Sequence, residues 1–187
     1  MANIKKTVPA LLLLALGSVI FYLIGGFGFS IIYLMLWIDK IIFGELKSPL
    51  YLGFELYSLP TILVGIMYGP LNGFLFGFFV VPIVLGMIDL IYTLLLGGHL
   101  VDTGWELFFP SPESTVVGIL GVIAGVFGPH MSLLAIIVNC MAIRFILSIL
   151  RDVIFDTPNI ISYIINFGLT TWIAVIFQNF FVKVFSG

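Results

Sequence analysis

Long, uninterrupted runs of apolar residues recur along the chain, and short polar stretches separate them. The longer runs approach the roughly 20 apolar residues that a helix needs to cross a bilayer. Because the runs are continuous rather than alternating, and a span must satisfy its own backbone hydrogen bonds, the pattern predicts helices instead of barrel strands. The predicted spans cover residues 8–27, 54–69, 71–97, 114–128, 131–150 and 160–182.

The stretch 29–43 is apolar apart from Ser30, Asp39 and Lys40, but it is shorter than most spans. We expect it to form an interfacial or re-entrant helix. The alternative is a seventh span, which would move the N-terminus to the other side of the membrane. With six spans, the sequence predicts an all-α transmembrane bundle that forms a single domain over residues 1–187.

The composition agrees with a membrane protein. Hydrophobic residues make up 61% of the chain and charged residues 9%, against about a quarter charged in soluble domains. The apolar run after Lys5 and Lys6 resembles a signal peptide, but no cleavage site follows it, so we expect a retained first helix. The single cysteine, Cys140, excludes an intrachain disulfide. The expected surroundings are the lipid bilayer, with no nucleic-acid partner.

The charges predict an orientation. Six spans place Lys5, Lys6 and Lys183 on one side, and all nine acidic residues then fall in the opposite loops or the opposite halves of spans. Since positive residues favour the cytoplasmic side, both termini are expected in the cytoplasm of a multi-pass plasma membrane protein. The rule is only weakly obeyed, because Lys40, Lys47 and Arg151 lie on the outer side.

Two glycine series indicate close helix packing. Gly65, Gly69, Gly73 and Gly77 recur every four residues around Pro70, which predicts a tight helical hairpin at Gly69. The second series ends in another predicted tight turn, at Gly128-Pro129. Ordinary close packing explains both series without any transport role.

A few polar residues inside the predicted spans are the candidate binding residues. Ionisable groups in a membrane are costly unless they are paired or hydrated, so Glu55, Asp89 and Arg144 are functional candidates. Asn139 and Asn166 add amides nearby. These five residues either line a solute site in the outer half of the membrane or, in the case of Asp89 and Arg144, form a purely structural pair.

The sequence lacks the signatures of the common enzyme classes. It has no Walker A loop, GxSxG, HExxH or dinucleotide fingerprint, so we expect no catalytic residues, no cofactor and no enzymatic activity. His99 and His130 are too isolated to indicate a metal site. If the chain takes part in ATP-driven transport, a partner must hydrolyse the ATP.

Two segments resemble the substrate-binding S components of energy-coupling factor (ECF) transporters. ELYSLPTILVGIMYGPLNGFLFG, Glu55 to Gly77, is similar to the family's second and third helices, with a proline, a Gly-x-x-x-Gly-Pro turn and a glycine-rich continuation. WELFFPSPESTVVGILGVIAGVFG, Trp105 to Gly128, resembles the loop and fourth helix of the folate-type members. The segment from Leu133 to Arg151 is placed as a fifth helix.

The resemblance implies six helices, cytoplasmic termini and a solute site near the outer face. It also implies a transmembrane coupling subunit and two ATPase subunits as partners. The mixture of acid, base and amides among the five candidate residues suits a small polar or zwitterionic solute, such as a vitamin, cofactor precursor or nucleobase. One departure concerns the coupling contact, because Ala10 and Ala15 are five residues apart where the family often has Ala-x-x-x-Ala. The alternatives are an MreD-like scaffolding subunit that binds no solute and, less favoured, a lipid enzyme.

Overall fold

The computed structural model describes residues 4–43, 55–96, 110–155 and 159–185, which form helices and no strands. An all-α fold is therefore confirmed for the described part of the chain. The helices are α1 (Ile4–Trp37), α2 (Ser58–Tyr68), α3 (Pro70–Leu75), α4 (Val81–Leu96), α5 (Pro112–Phe127), α6 (Leu133–Phe155), α7 (Ile160–Ile176) and α8 (Gln178–Phe185). A π-helical segment, Ile38–Phe43, continues α1, and another, Phe76–Val80, joins α3 to α4. A 3₁₀ turn, Gly128–His130, joins α5 to α6.

Four helical stretches are long and apolar enough to cross a membrane: Leu14–Lys40, Pro70–Ile88, Pro112–His130 and Leu133–Phe155. Helices α7 and α8 meet at a bend of 71° and make a fifth candidate if they are counted as one span. Helix α2 is apolar but shorter. The described part of the chain thus has four or five such stretches, which is compatible with a multi-pass membrane protein, and the six-span count stays a prediction.

Helix α1 folds back on itself at Gly25 and Gly26. Gly26 has a positive φ of 74°, which is a conformation that favours glycine. The Ser30 hydroxyl donates to the Ser18 carbonyl at 2.9 Å, although residues twelve apart in a straight helix would be separated by about 18 Å. The rings of Phe21 and Tyr33 also stack, with their centroids 4.7 Å apart. The two arms of α1 therefore run antiparallel, so Leu14–Lys40 is long and apolar enough for a span by length and composition but is not one straight helix.

A second reversal joins α2 to α3, as the glycine series predicts. Helix α2 ends at Tyr68 and α3 begins at Pro70, while Gly69 between them has a φ of 88°. Pro70 is the first residue of its helix. An N–H group at that position has no acceptor within the helix, so proline costs no backbone hydrogen bond there. The predicted tight turn at Gly128-Pro129 is also present, as the 3₁₀ turn between α5 and α6.

These three turns lie at one end of the bundle, called the turn end. The Tyr68 hydroxyl donates to the Gly25 carbonyl at 3.1 Å, which joins the first two turns. A Cβ built on Gly128 would lie 3.0 Å from the Ile66 side chain, close to the end of α2. The opposite end, called the charged end, holds the described residues Asp39, Glu55, Glu113, Arg144 and Arg151.

The core between the two ends is built from α1, α2, α5 and α6. Ile32 and Leu36 of α1 are fully buried, as are Ile62 and Leu63 of α2, and α6 contributes Cys140. The segment 29–43, predicted as an interfacial or re-entrant helix, therefore brings buried side chains into the bundle. Whether it crosses a membrane stays a prediction.

Candidate functional site

One buried arginine organises the charged end. The Arg144 side chain is 4% exposed and lies on α6. Its guanidinium forms ion pairs with Glu55, which precedes α2, and with Glu113 in the first turn of α5. Its Nη2 lies 2.8 Å from Glu113 Oε1 and donates to the Tyr57 hydroxyl at 3.0 Å. Arg144 thus connects three segments that are distant in sequence.

Tyr57 adds an aromatic face to this contact. Its ring lies under the guanidinium, with the Arg144 Cζ 4.9 Å from the ring centroid, which is a cation–π distance. Its hydroxyl lies 2.9 Å from Glu55 Oε2 and 3.0 Å from Glu113 Oε1. Because one hydroxyl proton serves two carboxylates, Tyr57 holds Glu55 and Glu113 close together beside Arg144.

A second arginine extends the cluster along α6. Arg151 follows Arg144 by seven residues, or about two helical turns, so both project from the same face of α6. Arg151 pairs with the second oxygen of Glu113. It also donates to Asp152 at 2.6 Å and to the Tyr163 hydroxyl of α7 at 3.1 Å, and that hydroxyl in turn donates to Asp152. We call Glu55, Tyr57, Glu113, Arg144, Arg151, Asp152 and Tyr163 the charged cluster.

The local sequence positions Glu113. Ser111 caps α5 by accepting from the Ser114 N–H at 3.2 Å, and the Ser114 hydroxyl accepts from the Ser111 N–H at 2.7 Å. This reciprocal capping box, with Pro112 as the first helical residue, fixes the first turn of α5. The carboxylate of Glu113 lies in that turn, where the helix dipole also favours a negative charge.

Asp39 positions the chain that carries Glu55. Its carboxylate is 2% exposed and accepts from the Leu56 backbone N–H. This bond fixes the approach to α2, which has no side-chain cap of its own. The sequence predicts Asp39 within the 29–43 helix, but no pattern in it predicts this contact.

Three of the five predicted binding residues are close together. Glu55 and Arg144 pair directly, and Asn166 of α7 is 3% exposed beside them. With its amide oriented to satisfy donors and acceptors, the Asn166 oxygen accepts from Arg144 Nη1 at 2.8 Å. In the same orientation its nitrogen lies 3.2 Å from the Thr170 hydroxyl.

The other two predicted residues are not part of this cluster in the described structure. Asn139 is exposed on α6, and its amide donates to the Ala135 carbonyl of its own helix at 2.8 Å. It precedes Arg144 by five residues, which places it on a different face of α6. Asp89 lies in α4, and its side chain is outside the described residues, so the predicted pair of Asp89 with Arg144 stays a prediction.

The cluster also contains residues that the sequence analysis did not select: Tyr57, Glu113, Arg151, Asp152 and Tyr163. Two signals in the sequence point to some of them. The seven-residue spacing of Arg144 and Arg151 predicts a shared helix face, and Ser111-Pro112-Glu113 is a typical helix start with an acid in the first turn. The sequence does not indicate that the first turn of α5 contacts the α6 face that carries the two arginines, because this contact depends on how α5 packs against α6.

The described side chains leave little room around Arg144. A cavity of about 10 Å³ lies beside it and is lined by Met141, Ser148, Tyr163, Asn166 and Phe167, among others. That is space for about one water molecule. A larger cavity of about 210 Å³ lies at the turn end, and its lining is apolar apart from the backbone: Ile66, Gly128, Met131, Leu133, Ile136, Phe181, Val182 and Phe185.

No protein-family model, curated protein or solved structure matches the chain. The resemblance to S components therefore depends on the two sequence segments alone. What the site can do chemically follows from its own groups. Two guanidinium groups, three carboxylates and two tyrosine hydroxyls can orient a polar or charged compound by hydrogen bonds. Within the described residues, no group of three or more His, Cys, Asp or Glu side chains is placed to hold a metal ion.

Proposed function

We propose that this chain is a membrane-embedded solute-binding subunit whose site is the charged cluster. The observation that supports this most directly is the convergence of Glu55, Tyr57, Glu113 and Asn166 on the buried guanidinium of Arg144. Charges inside a membrane protein are expensive and usually mark a functional pathway or site. Glu55 and Glu113 keep 28% and 23% of their side chains exposed, so the cluster is accessible from the charged end.

The sequence resemblance makes the proposal more specific. As an S component of an ECF-type uptake transporter, the chain captures a small polar solute, such as a vitamin, cofactor precursor or nucleobase-like compound, from outside the cell. A transmembrane coupling subunit and two ATPase subunits would then drive its release inward. The described helices carry no site for ATP hydrolysis of the Walker type, since the whole sequence lacks that motif.

Copurification tests the proposal. The tagged protein is purified from its native membranes in mild detergent, and mass spectrometry identifies the proteins and small molecules that stay attached. We expect a larger membrane subunit with P-loop ATPases and a retained solute. Recovery of cell-envelope proteins without any small molecule would contradict the proposal.

A pair of variants on one helix tests the site itself. Arg144→Lys keeps the charge but loses the planar fork that holds Glu55 and Glu113, so binding of the identified solute should weaken by about tenfold or more. Asn139→Ala changes an exposed residue on the same helix and should leave the affinity unchanged. Equal affinities of the two variants in a titration would exclude Arg144 from the site.

The proposal also requires the charged end to face outward. Six spans with both termini in the cytoplasm satisfy that requirement, but the reversal at Gly25 and Gly26 points the start of α1, with Lys5 and Lys6, toward the charged end. Lys40 and Arg151 lie at the same end, whereas Lys183 in α8 lies at the turn end. By the positive-inside rule, this distribution favours a cytoplasmic charged end. Orientation is therefore a decisive test of uptake.

Single cysteines measure the orientation. In a Cys140→Ser background, Thr115→Cys places a thiol on an exposed residue near the charged end, and Ser132→Cys places one on an exposed residue at the turn end. An impermeant maleimide added to intact cells should label Thr115→Cys and leave Ser132→Cys unlabelled. The reverse pattern would overturn solute capture from outside.

The close packing around Arg144 favours a second function, that of an MreD-like scaffolding subunit. A drug-sized ligand occupies a pocket of about 300–1,000 Å³, whereas the cavity beside Arg144 measures about 10 Å³. In this alternative the ion pairs only hold the helices together, and the exposed apolar faces bind other membrane proteins. The copurification experiment separates the two functions, because a scaffold retains proteins and no solute.

A further inference from the structure

Glu113 differs from the other carboxylates of the charged cluster in contacting both arginines. One of its oxygens lies 2.8 Å from Arg144 Nη2, and the other pairs with Arg151 Nη1. Of the two arginines, Glu55 contacts Arg144, and Asp152 contacts Arg151, its own neighbour on α6. The two arginines thus form one receptor for a carboxylate, and a side chain of the protein occupies it.

Both arginines keep their positions through other contacts. Arg144 retains Glu55, the Tyr57 hydroxyl at 3.0 Å and the Asn166 amide at 2.8 Å. Arg151 retains Asp152 at 2.6 Å and the Tyr163 hydroxyl at 3.1 Å. If Glu113 withdrew, the two guanidinium groups would remain oriented toward the same point, which is the preorganisation that anion binding requires.

The charge balance also permits exchange of one carboxylate for another. Glu55, Glu113 and Asp152 are the three carboxylates that pair with the two arginines in the described structure. If a carboxylate of the solute replaces that of Glu113, the charge beside the arginines does not change. A cation or a neutral solute would have to bind without replacing Glu113.

Glu113 is also accessible enough to leave. Its side chain is 23% exposed, compared with 7% for Asp152, and a change in its side-chain rotamer can move the carboxylate while the capped first turn of α5 stays in place. Glu55 is slightly more exposed, at 28%, but of the two arginines it contacts Arg144, so its departure would not open a site between them.

We propose that Glu113 acts as an internal competitor: it occupies a two-arginine receptor whose solute is a carboxylate-bearing compound, and binding of that compound displaces it. This inference depends on the proposed solute-binding function and names the chemical class of the solute. The solute's carboxylate would accept hydrogen bonds from Arg144 and Arg151 in place of Glu113. No bond is made or broken other than these hydrogen bonds and ion pairs.

Chemical rescue tests the receptor directly. Glu113→Ala removes the competing carboxylate, and sodium propionate supplies a free one of similar size. With purified full-length protein at constant ionic strength, propionate should raise the melting temperature of Glu113→Ala in a saturable way. Its apparent affinity should be about tenfold or more higher than for the wild-type protein, because charge-assisted pairs of this kind are the strong ones. Propionamide, which is neutral and nearly the same shape, should have no effect.

Glu55→Ala is the matched control, because it removes a partly exposed carboxylate from Arg144 but leaves Glu113 between the two arginines. Its response to propionate should remain within about twofold of wild type. If Glu113→Ala does not fold, Glu113→Gln replaces it, since the neutral amide is easier to displace and should also bind propionate more tightly than wild type. Equal responses to propionate and propionamide, or none in either Glu113 variant, would overturn the proposal.

The outcome separates this inference from the proposed function. Propionate binding concerns the arginine pair alone and needs no native solute or transport partner. If a solute without a carboxylate copurifies while propionate fails to rescue, solute binding stands and the internal competitor is wrong. If propionate rescues but Arg144→Lys leaves binding of the native solute unchanged, the receptor exists but is not the solute site, and the proposed function fails there.

Discussion

The two ends of this bundle are held together by opposite means. Toward the turn end, α2, α3 and α5 approach until their backbones touch: a Cβ on Gly73 would lie 2.6 Å from the Gly121 oxygen and 2.7 Å from the Gly65 Cα. We call Gly65, Gly73, Gly121 and Gly125 the glycine interface. At the charged end, the start of α2 is joined to α5 and α6 by long ionised side chains around Arg144. Close van der Waals contact holds one region and charge neutralisation holds the other.

The two regions differ in what a single substitution can remove. The glycine interface contains no polar side chain to leave unpaired, so an added methyl group acts only through steric overlap. Each arginine of the charged cluster pairs with two carboxylates, so its loss leaves two partly or fully buried acids without that cation. We therefore expect a single substitution to lower the free energy of unfolding more at the charged end than at the glycine interface.

Arg144→Ala tests this comparison with the largest expected effect. It leaves Glu55 and Glu113 close together without their shared cation, and breaking a buried ion pair in this way typically costs about 3–5 kcal/mol. The measurement is the free energy of unfolding in mixed micelles. Arg151→Ala is the control, because Arg151 is itself 22% exposed, so water screens its ion pairs more than those of Arg144, and the loss of stability should be smaller. If the two variants lost equal stability, the burial of Arg144 would not be what distinguishes it.

Gly121→Ala tests the other region. A Cβ there would overlap the carbonyl of Gly73, and because this neighbour is backbone, the helices must separate; overpacking of this kind costs about 1–3 kcal/mol. Gly168→Ala is the same substitution in α7, where nothing lies within 4 Å of the new Cβ. It should be neutral or stabilise the protein by up to about 1 kcal/mol through helix propensity. Similar unfolding free energies for the two variants would contradict close packing at Gly121.

The comparison also shows which features the sequence could predict. The four-residue spacing of Gly65, Gly69 and Gly73 predicts close helix packing, and Pro70, which interrupts the series, predicts the hairpin at Gly69. The turn at Gly128-Pro129 could be predicted for the same local reason. The reversal at Gly25 and Gly26 could not be predicted: the sequence predicts a first span over 8–27, and nothing local distinguishes a glycine pair near the end of a span from one that folds the helix back.

The charged cluster could be predicted only in part. Glu55, Arg144 and Asn166 can be predicted because polar groups in apolar runs are conspicuous, and the structure brings these three together. Glu113 cannot be predicted in the same way, because it lies beside a polar loop where an acid is ordinary. Whether Glu113 meets Arg144 depends on how α5 packs against α6, and no local pattern in the sequence specifies that contact.

Helix α5 carries both regions, and its cap gives the smallest and most selective test. Ser111→Ala removes the hydroxyl that accepts from the Ser114 N–H, which should cost about 1 kcal/mol. The first turn of α5 holds Glu113, while Gly121 lies two turns further along, so fraying should reach the charged cluster before the glycine interface. Hydrogen exchange should therefore accelerate at residues 113–116 and remain at the wild-type rate at 121–125.

Thr115→Val, which alters an exposed hydroxyl in the same turn, is the control. Uniform acceleration along α5 would mean that the two regions unfold as one unit. They would then differ in the interactions that stabilise them but not in how readily they open.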